Sequence, residues 1–315
     1  MRKLKIIFMG TPEFAVGILD NIIGNQYEVA AVVTAPDKPA GRGQKIKYSA
    51  VKDYALQKDL PVLQPTNLKD EAFLAALKSF GANLHVVVAF RMLPKAVWDM
   101  PEYGTFNLHA SLLPQYRGAA PINWAIINGE TRTGVTTFFI DDKIDTGAII
   151  LSSETSISET ENAGELHDRL MDIGQATVVR TLELIASGDV RTHVQTDSDD
   201  LKTAYKLHRD NCKIDWEKPG KEIHNLIRGL SPYPAAWCFF DDGATPQQIK
   251  IYDAAFEQAA HQQTPGSLKT DRKTISVAVK DGFVHILSLQ LPGKKKMTAA
   301  ELLNGMAFAQ ESKFC

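Results

Sequence analysis

Short apolar runs alternate with helical patterns through the first half of the chain. KIIFMG, EVAAVVT, PVLQ, LHVVVAF and TFNLHA are rich in β-branched residues and nearly unbroken in apolar character, as strands buried on both faces are. Between them, apolar positions recur at helical spacing near Pro12–Ile23, Ser49–Lys58 and Glu71–Phe80, with a short helical turn near Pro94–Trp98. A helix near Ile122–Asn128 follows, then GVTTFFI and GAIILSSE as neighbouring strands, and Glu161–Ser187 predicts a long closing helix. This alternation predicts an α/β unit over residues 1–187, built on a doubly wound, mostly parallel sheet. Thr11 and Pro12 are expected to serve the first helix as N-cap and first helical residue.

The period then changes. SGDVRTHVQTDSDDLKT is polar and acidic with little periodicity, and residues 188–205 are expected to be a linker. Over residues 206–315 the runs WCFFDD, IKIYDAAF, TISVAVKDG and FVHILSLQLPG alternate polar with apolar and are broken by Gly, Pro and Asp. That pattern predicts an antiparallel barrel or sandwich, preceded by a helix near Gly220–Leu230 and followed by one near Ala299–Ala309.

Composition changes this picture little. The chain has 315 residues, 44% hydrophobic and 23% charged, with a formal net charge of −2, so no global charge points to a nucleic-acid or membrane partner. Charge is unevenly placed, however: 15 Lys and Arg against 12 Asp and Glu from Lys206 onward, and 20 against 25 before it. This asymmetry favours a second domain that meets RNA. Cys212, Cys238 and Cys315 are widely spaced and odd in number, which fits a reducing cytoplasm better than a disulfide framework or a metal site. MRKLKIIFMGTPEF reads as a short strand, not a signal peptide, and no apolar run is long enough for a membrane span. GTPEFAVG lacks the dinucleotide fingerprint, and no phosphate loop, zinc-protease or calcium-loop motif occurs.

Candidate chemistry gathers in FNLHASLLPQYRGAAP. Asn107 and His109 are two apart on a strand and share one face at its carboxyl end, where open α/β sheets bind ligands. DDKIDTG ends the next long strand and brings Asp145, which alone would pass for a turn former. Together the three have a chemical logic. Histidine exchanges protons near neutral pH, a carboxylate holds its tautomer, and Asn and His N–H groups stabilise charge on a carbonyl oxygen under attack. That is acyl-transfer chemistry. Ser111 lacks the elbow that exposes a serine nucleophile and is expected to be a loop hydrogen-bonder. PDKPAGRGQKIK is too rich in Pro, Gly and positive charge to pack as an element; as a flexible basic finger it would carry Arg42 and Lys45 to phosphates. PGKKKM places Lys294, Lys295 and Lys296 on a barrel turn, a second candidate polyanion contact.

FNLHASLLPQYRGAAPINW resembles the Asn-x-His-x-Ser-Leu-Leu-Pro signature of the folate-dependent formyltransferases, and DDKIDTG, 36 residues on from His109 to Asp145, resembles their second catalytic loop. GTPEFA, PDKPAGRG and IRGLSPYPAAW extend the likeness to the members acting on charged tRNA, across nearly the whole chain. The resemblance implies a Rossmann-like catalytic domain and a smaller OB-like β-barrel domain that binds tRNA. It implies transfer of a formyl group from 10-formyltetrahydrofolate to the α-amine of methionine on initiator tRNA, with no metal, no membrane and no obligate protein partner. By position it makes Asn107, His109 and Asp145 catalytic, Ser111, Leu112, Leu113 and Pro114 folate-contacting, and the Arg42 loop a reader of the tRNA acceptor stem. Phe14 is placed as a wall for the methionine side chain. The chain departs from the family where Arg91 follows the aromatic Phe90, and where Lys143 stands in the aspartate loop; both positions are often Gly. Rival expectations are a relative formylating an amino-sugar nucleotide, which needs no long basic finger, and a non-catalytic RNA-binding protein, which loss of one of the trio would favour.

Overall fold

The apolar runs of the first half assemble into one seven-stranded sheet. The computed structural model of the protein describes residues 2–40, 45–243, 245–306, 308–309 and 311–315. In chain order the first strands are β1 (Lys5–Gly10), β2 (Glu28–Val33), β3 (Lys38–Ala40), β4 (Lys45–Lys47), β5 (Val62–Leu63), β6 (Leu84–Val88), β7 (Thr105–His109), β8 (Arg117–Gly118), β9 (Arg132–Phe139) and β10 (Ile149–Ser156). The helices among and after them are α1 (Glu13–Gly24), α2 (Ala50–Gln57), α3 (Glu71–Ser79), α4 (Lys95–Trp98), α5 (Pro121–Ile127) and α6 (Ala163–Ser187). The sheet order is β10-β9-β7-β6-β1-β2-β5. From β7 to β5 every pair is parallel; β9 joins β7 antiparallel and β10 follows it.

Burial explains the unbroken apolar runs. Every residue of β6 is buried, and β1 is buried from Ile6 to Gly10. Ile7 and Met9 of β1 pack with Phe73 and Leu77 of α3 and Val97 of α4 in one core cluster. Helix α1 buries Phe14, Ala15, Ile18, Leu19 and Ile22, an apolar stripe at helical spacing.

The chain divides into two compact units: Met1–Pro121, Arg132–Ser156 and His167–Thr203 form one, and Ile122–Thr131, Ile157–Leu166 and Ala204–Cys315 the other. After β11 (Thr203–Ala204), the second unit contains α7 (Gly220–Leu230), β12 (Ala236–Asp241), β13 (Gln247–Gln258), β14 (Leu268–Thr270), β15 (Ile275–Val279), β16 (Gly282–Gln290), β17 (Met297–Thr298), α8 (Ala299–Gly305) and β18 (Lys313–Phe314). Its antiparallel sheet runs β14-β15-β16-β13-β12-β18, with β17 on β16. The two edges nearly meet, because Ser267 bridges Lys313 and the Phe314 N–H donates to the Gly266 carbonyl at 2.9 Å. Gly266 has φ +86°, and a Cβ there would lie 2.3 Å from the Phe314 carbonyl oxygen, so only glycine closes the barrel here. Trp216, Ile223, Ile227, Phe240, Ile251 and Val284 lie in its core.

Three local expectations change. Helix α1 begins at Glu13 with Pro12 as its N-cap and no side-chain cap bond, so Thr11 does not cap it; the Pro12 carbonyl takes the first intrahelical bond instead. Flanks of the basic finger pair as a short hairpin, Lys38 opposite Lys47 and Pro39 opposite Ile46; a two-stranded ribbon leaves each strand one unpaired edge, where proline's missing N–H is tolerated. The last helix stops at Gly305, short of Ala309. Among the described residues, no helix is long and apolar enough to cross a membrane.

Candidate active site

Strand β7 sits where the parallel set meets antiparallel β9, so its carboxyl end opens beside a reversal of strand direction. Asn107 is opposite Val87 of β6 and Phe138 of β9, and His109 is opposite Thr136. Both point to the same face of the sheet, with the apolar Phe106 and Leu108 buried on the other. His109 is buried, whereas Asn107 keeps partial exposure. Among the described residues, no protein group hydrogen-bonds the Asn107 side-chain amide. A half-buried amide left unpaired beside a histidine is a donor placed for a ligand.

The loop after β7 folds back onto the histidine. The Ser111 hydroxyl donates to the Gln115 carbonyl at 2.7 Å, and Thr136 Oγ1 of β9 donates to the Ser111 carbonyl at 2.7 Å while accepting from the Leu113 N–H at 3.2 Å. The Leu113–Pro114 bond is cis, and Tyr116 has φ +61°. This path brings the Tyr116 carbonyl to 2.8 Å from His109 Nε2. A carbonyl only accepts, so Nε2 carries the hydrogen, and the ring turns Nδ1 towards the other side.

There Nδ1 meets the carboxylate of Asp145 at 3.7 Å, beyond hydrogen-bond length but close enough to form an ion pair when the imidazole is protonated, with the two side chains only 7% and 17% exposed. Asp145 comes from the turn between β9 and β10 and has φ +56°, an uncommon left-handed conformation that aspartate tolerates. One carboxylate oxygen accepts from the Gly118 N–H at 2.9 Å, so the loop after β7 orients both His109 and Asp145. The turn is further held by Asp141, whose carboxylate accepts from the Lys143 N–H and the Thr146 hydroxyl. Gln195, in the segment expected to be a linker, donates to the carbonyls of Asp145 and Gly147 at 2.9 and 2.8 Å. Its own oxygen accepts from Arg117. Arg117 also donates to Asp197, and that bond holds the Asp197 carboxyl below its ordinary range. Nothing in the spacing of Gln195 or Arg117 marked them, because their effect on Asp145 requires the chain to return from beyond α6.

Residues 3–182 match the formyl transferase family, and residues 206–307 match the formyl transferase C-terminal domain. A relative from Flavobacterium johnsoniae, named methionyl-tRNA formyltransferase, is 68% identical over 313 residues, covering 99% of each chain. One of the same name from Bacteroides thetaiotaomicron is 52% identical over 310 residues, covering 96% of this chain and 95% of its own. The chain belongs to the methionyl-tRNA formyltransferase branch of the formyl transferase family. The fold is shared more widely: WlaRD, a sugar 3N-formyl transferase solved with dTDP and 5-N-formyl-THF, superposes with a TM-score of 0.63 at 24% identity, covering 94% of this chain and all (100%) of its own. HypX from Aquifex aeolicus, solved with tetrahydrofolic acid, superposes with a TM-score of 0.65 at 16% identity, covering 96% of this chain and 47% of its own.

In this formyl transferase the remaining expected site residues fall in distinct places. Ser111 and Leu113 are buried, and Leu112 and Pro114 are partly exposed. Leu112 packs over Gly134 of β9, where a Cβ would lie 2.6 Å from its Cδ2. Phe14 is buried at the start of α1, edge-on to the His167 ring with centroids 5.2 Å apart. Arg91 donates to the Thr66 carbonyl at 3.0 Å and to the Pro65 carbonyl, and lies over the Phe90 ring. The positive φ of that turn, +47°, falls on Ala89 and not on Arg91, so the position often held by glycine needs none here. In the second unit Lys294, Lys295 and Lys296 are exposed on the turn after β16, with Lys296 over the Tyr252 ring at 5.0 Å. Arg42 and the side chain of Lys45 lie outside the described residues. Among the described residues, no group of three or more His, Cys, Asp or Glu side chains is arranged to hold a metal ion.

Proposed function

We propose that this formyl transferase moves the formyl group of 10-formyltetrahydrofolate to the α-amine of methionine carried by initiator tRNA, in the cytoplasm. The observation that carries this reading is that identity to relatives of that name runs through both units, at 68% over nearly the whole chain. The unpaired Asn107 amide, beside an oriented His109 and Asp145, supports the chemistry.

The folate donor supplies a formyl carbon attached to a nitrogen that departs. The strand end suits that group: the acceptor-free Asn107 N–H₂ and the Nδ1 edge of His109 share one face and have a formyl oxygen as their natural partner. As the neutral amine attacks, the Asn107 amide and a His109 protonated on both nitrogens, its positive charge favoured by Asp145, donate to that oxygen and take up its growing negative charge. The Tyr116 carbonyl keeps the imidazole from turning away. Asp145, its carboxylate fixed by the Gly118 N–H, receives the amine proton through a water molecule and returns it to the departing nitrogen. Ser111–Pro114 shape the adjacent folate contact, and Phe14 closes the methionine side. The Arg42 and Lys45 finger and the Lys294–Lys296 turn meet tRNA phosphates; such contacts set affinity and position more than sequence choice.

The test is a formylation assay offering charged initiator tRNA, charged elongator tRNA and an amino-sugar nucleotide side by side. Charged initiator tRNA is expected to react fastest, and faster turnover of the sugar nucleotide would overturn the substrate assignment. Asn107→Ala, His109→Ala and Asp145→Ala are each expected to cut turnover by at least about a hundredfold. Near-parental turnover by His109→Ala at saturating substrates would overturn the mechanism.

A further inference from the structure

We infer that Gln195, clasped by Arg117, is a positioning residue that sets the backbone of the Asp145 turn in its reactive geometry. The inference rests on Asp145 taking part in formyl transfer. Residues 191–200 are exposed except at Gln195, which is half-buried. Its side-chain amide uses its whole hydrogen-bonding capacity: two N–H bonds go to the carbonyls of Asp145 and Gly147, and its oxygen takes two from Arg117 Nε and Nη2, at 3.0 and 2.8 Å. Because a guanidinium only donates, the amide cannot be turned over, so its N–H₂ must face the two carbonyls. Those carbonyls bracket the turn at its most constrained point. Asp145 has φ +56°, and a Cβ on Gly147 would lie 1.7 Å from the Phe139 carbonyl oxygen.

The connection back to the site is short. Arg117 directly precedes Gly118, whose N–H holds the Asp145 carboxylate, and follows Tyr116, whose carbonyl holds His109. Three consecutive residues thus fix the imidazole, the amide that braces the aspartate turn, and the carboxylate. The end of the segment is anchored as well, since the Tyr116 N–H donates to the Lys202 carbonyl and the Lys202 N–H to the Gln115 side chain. The 188–203 stretch, part of the first unit, is therefore a brace on the reactive loop.

Gln195→Glu keeps the size and the Arg117 contact but turns an oxygen onto two carbonyl oxygens. In the full chain it is expected to lower kcat about 10- to 100-fold, the scale for displacing a catalytic group by a fraction of an ångström, with both KM values within about twofold. Arg117→Lys, which loses the fork, is expected to share the direction at smaller size. Gln195→Glu combined with Asp145→Asn is expected to be no slower than Asp145→Asn alone. Unchanged kcat in Gln195→Glu, a loss that adds fully to that of Asp145→Asn, or a joint shift of kcat, KM and thermal midpoint would each overturn the assignment. Full turnover by Asp145→Asn alone would instead overturn the proposed role of Asp145, whatever Gln195 does.

Discussion

Thr136→Val tests how the loop after β7 is held. The Thr136 hydroxyl is fully buried, donates to the Ser111 carbonyl at 2.7 Å and accepts from the Leu113 N–H at 3.2 Å, with Ser152 Oγ also 3.2 Å away. Valine has nearly the same shape, so the change removes the hydroxyl without opening a cavity. It strands one buried carbonyl and one buried N–H, and each such group costs roughly 1–3 kcal/mol when left unpaired. The sum is about 2–6 kcal/mol, and local shifts towards the Ser152 hydroxyl favour the lower half of that range. Thr136→Ser keeps both bonds and loses one methyl, worth about 1 kcal/mol. Urea unfolding followed by circular dichroism would compare the three proteins, with KM for the folate donor measured alongside. Thr136→Val should lower the stability of the first unit several-fold more than Thr136→Ser and raise the folate KM, because Ser111–Pro114 lose their anchor. A Thr136→Val protein within about 0.5 kcal/mol of the parent, the usual scatter for uninvolved surface positions, would show that the Thr136 hydroxyl does not anchor the loop.

Two further predictions concern the same unit. His85 of β6 is buried, its Nδ1 has no partner among the described residues, and burial pushes its pKa down to about 4 against a lesser opposing bond to the Val97 carbonyl. The unfolded chain binds this proton below about pH 6.5 while the folded one refuses it until about pH 4, so stability falls as pH drops through that window, by roughly 3 kcal/mol in all. His85→Asn should remove that slope from urea midpoints measured between pH 7 and 4.5; an identical slope in parent and variant would show that other groups cause it. Gly147→Ala places a methyl into the Phe139 carbonyl, which cannot yield without moving β9, so it should cost about 1–3 kcal/mol and displace the Asp145 turn. Thermal melts and turnover would report this, and an unaffected kcat would show that the turn absorbs the methyl.

Much of the molecule is legible along the chain because its signals are local. Strand β6, Leu84–Val88, is an unbroken apolar run because both its faces are covered, and α1 shows its Phe14–Ile22 stripe because one face is. Asn107 and His109 are recognisable for the same reason: two residues apart on a strand means one face. Helix starts are less legible. Thr11 has a capping side chain, but the backbone turns one residue later, at Pro12. The hairpin of Lys38–Ala40 with Lys45–Lys47 hides in a composition that otherwise signals irregular chain.

What the chain alone determined is therefore the order of elements, the change from a helix-and-strand period to a strand period near residue 203, and the residue types at the carboxyl edge of the first sheet. Local backbone geometry and burial imprint these on neighbouring positions. Tertiary structure decided how those types become a site. It turned His109 Nε2 to the Tyr116 carbonyl, set Nδ1 at 3.7 Å from Asp145, and brought Gln195 back across the sheet edge to brace the aspartate turn. Hydrogen bonds between residues 50 apart leave no period and no composition bias, because each needs only one donor and one acceptor at the right point in space.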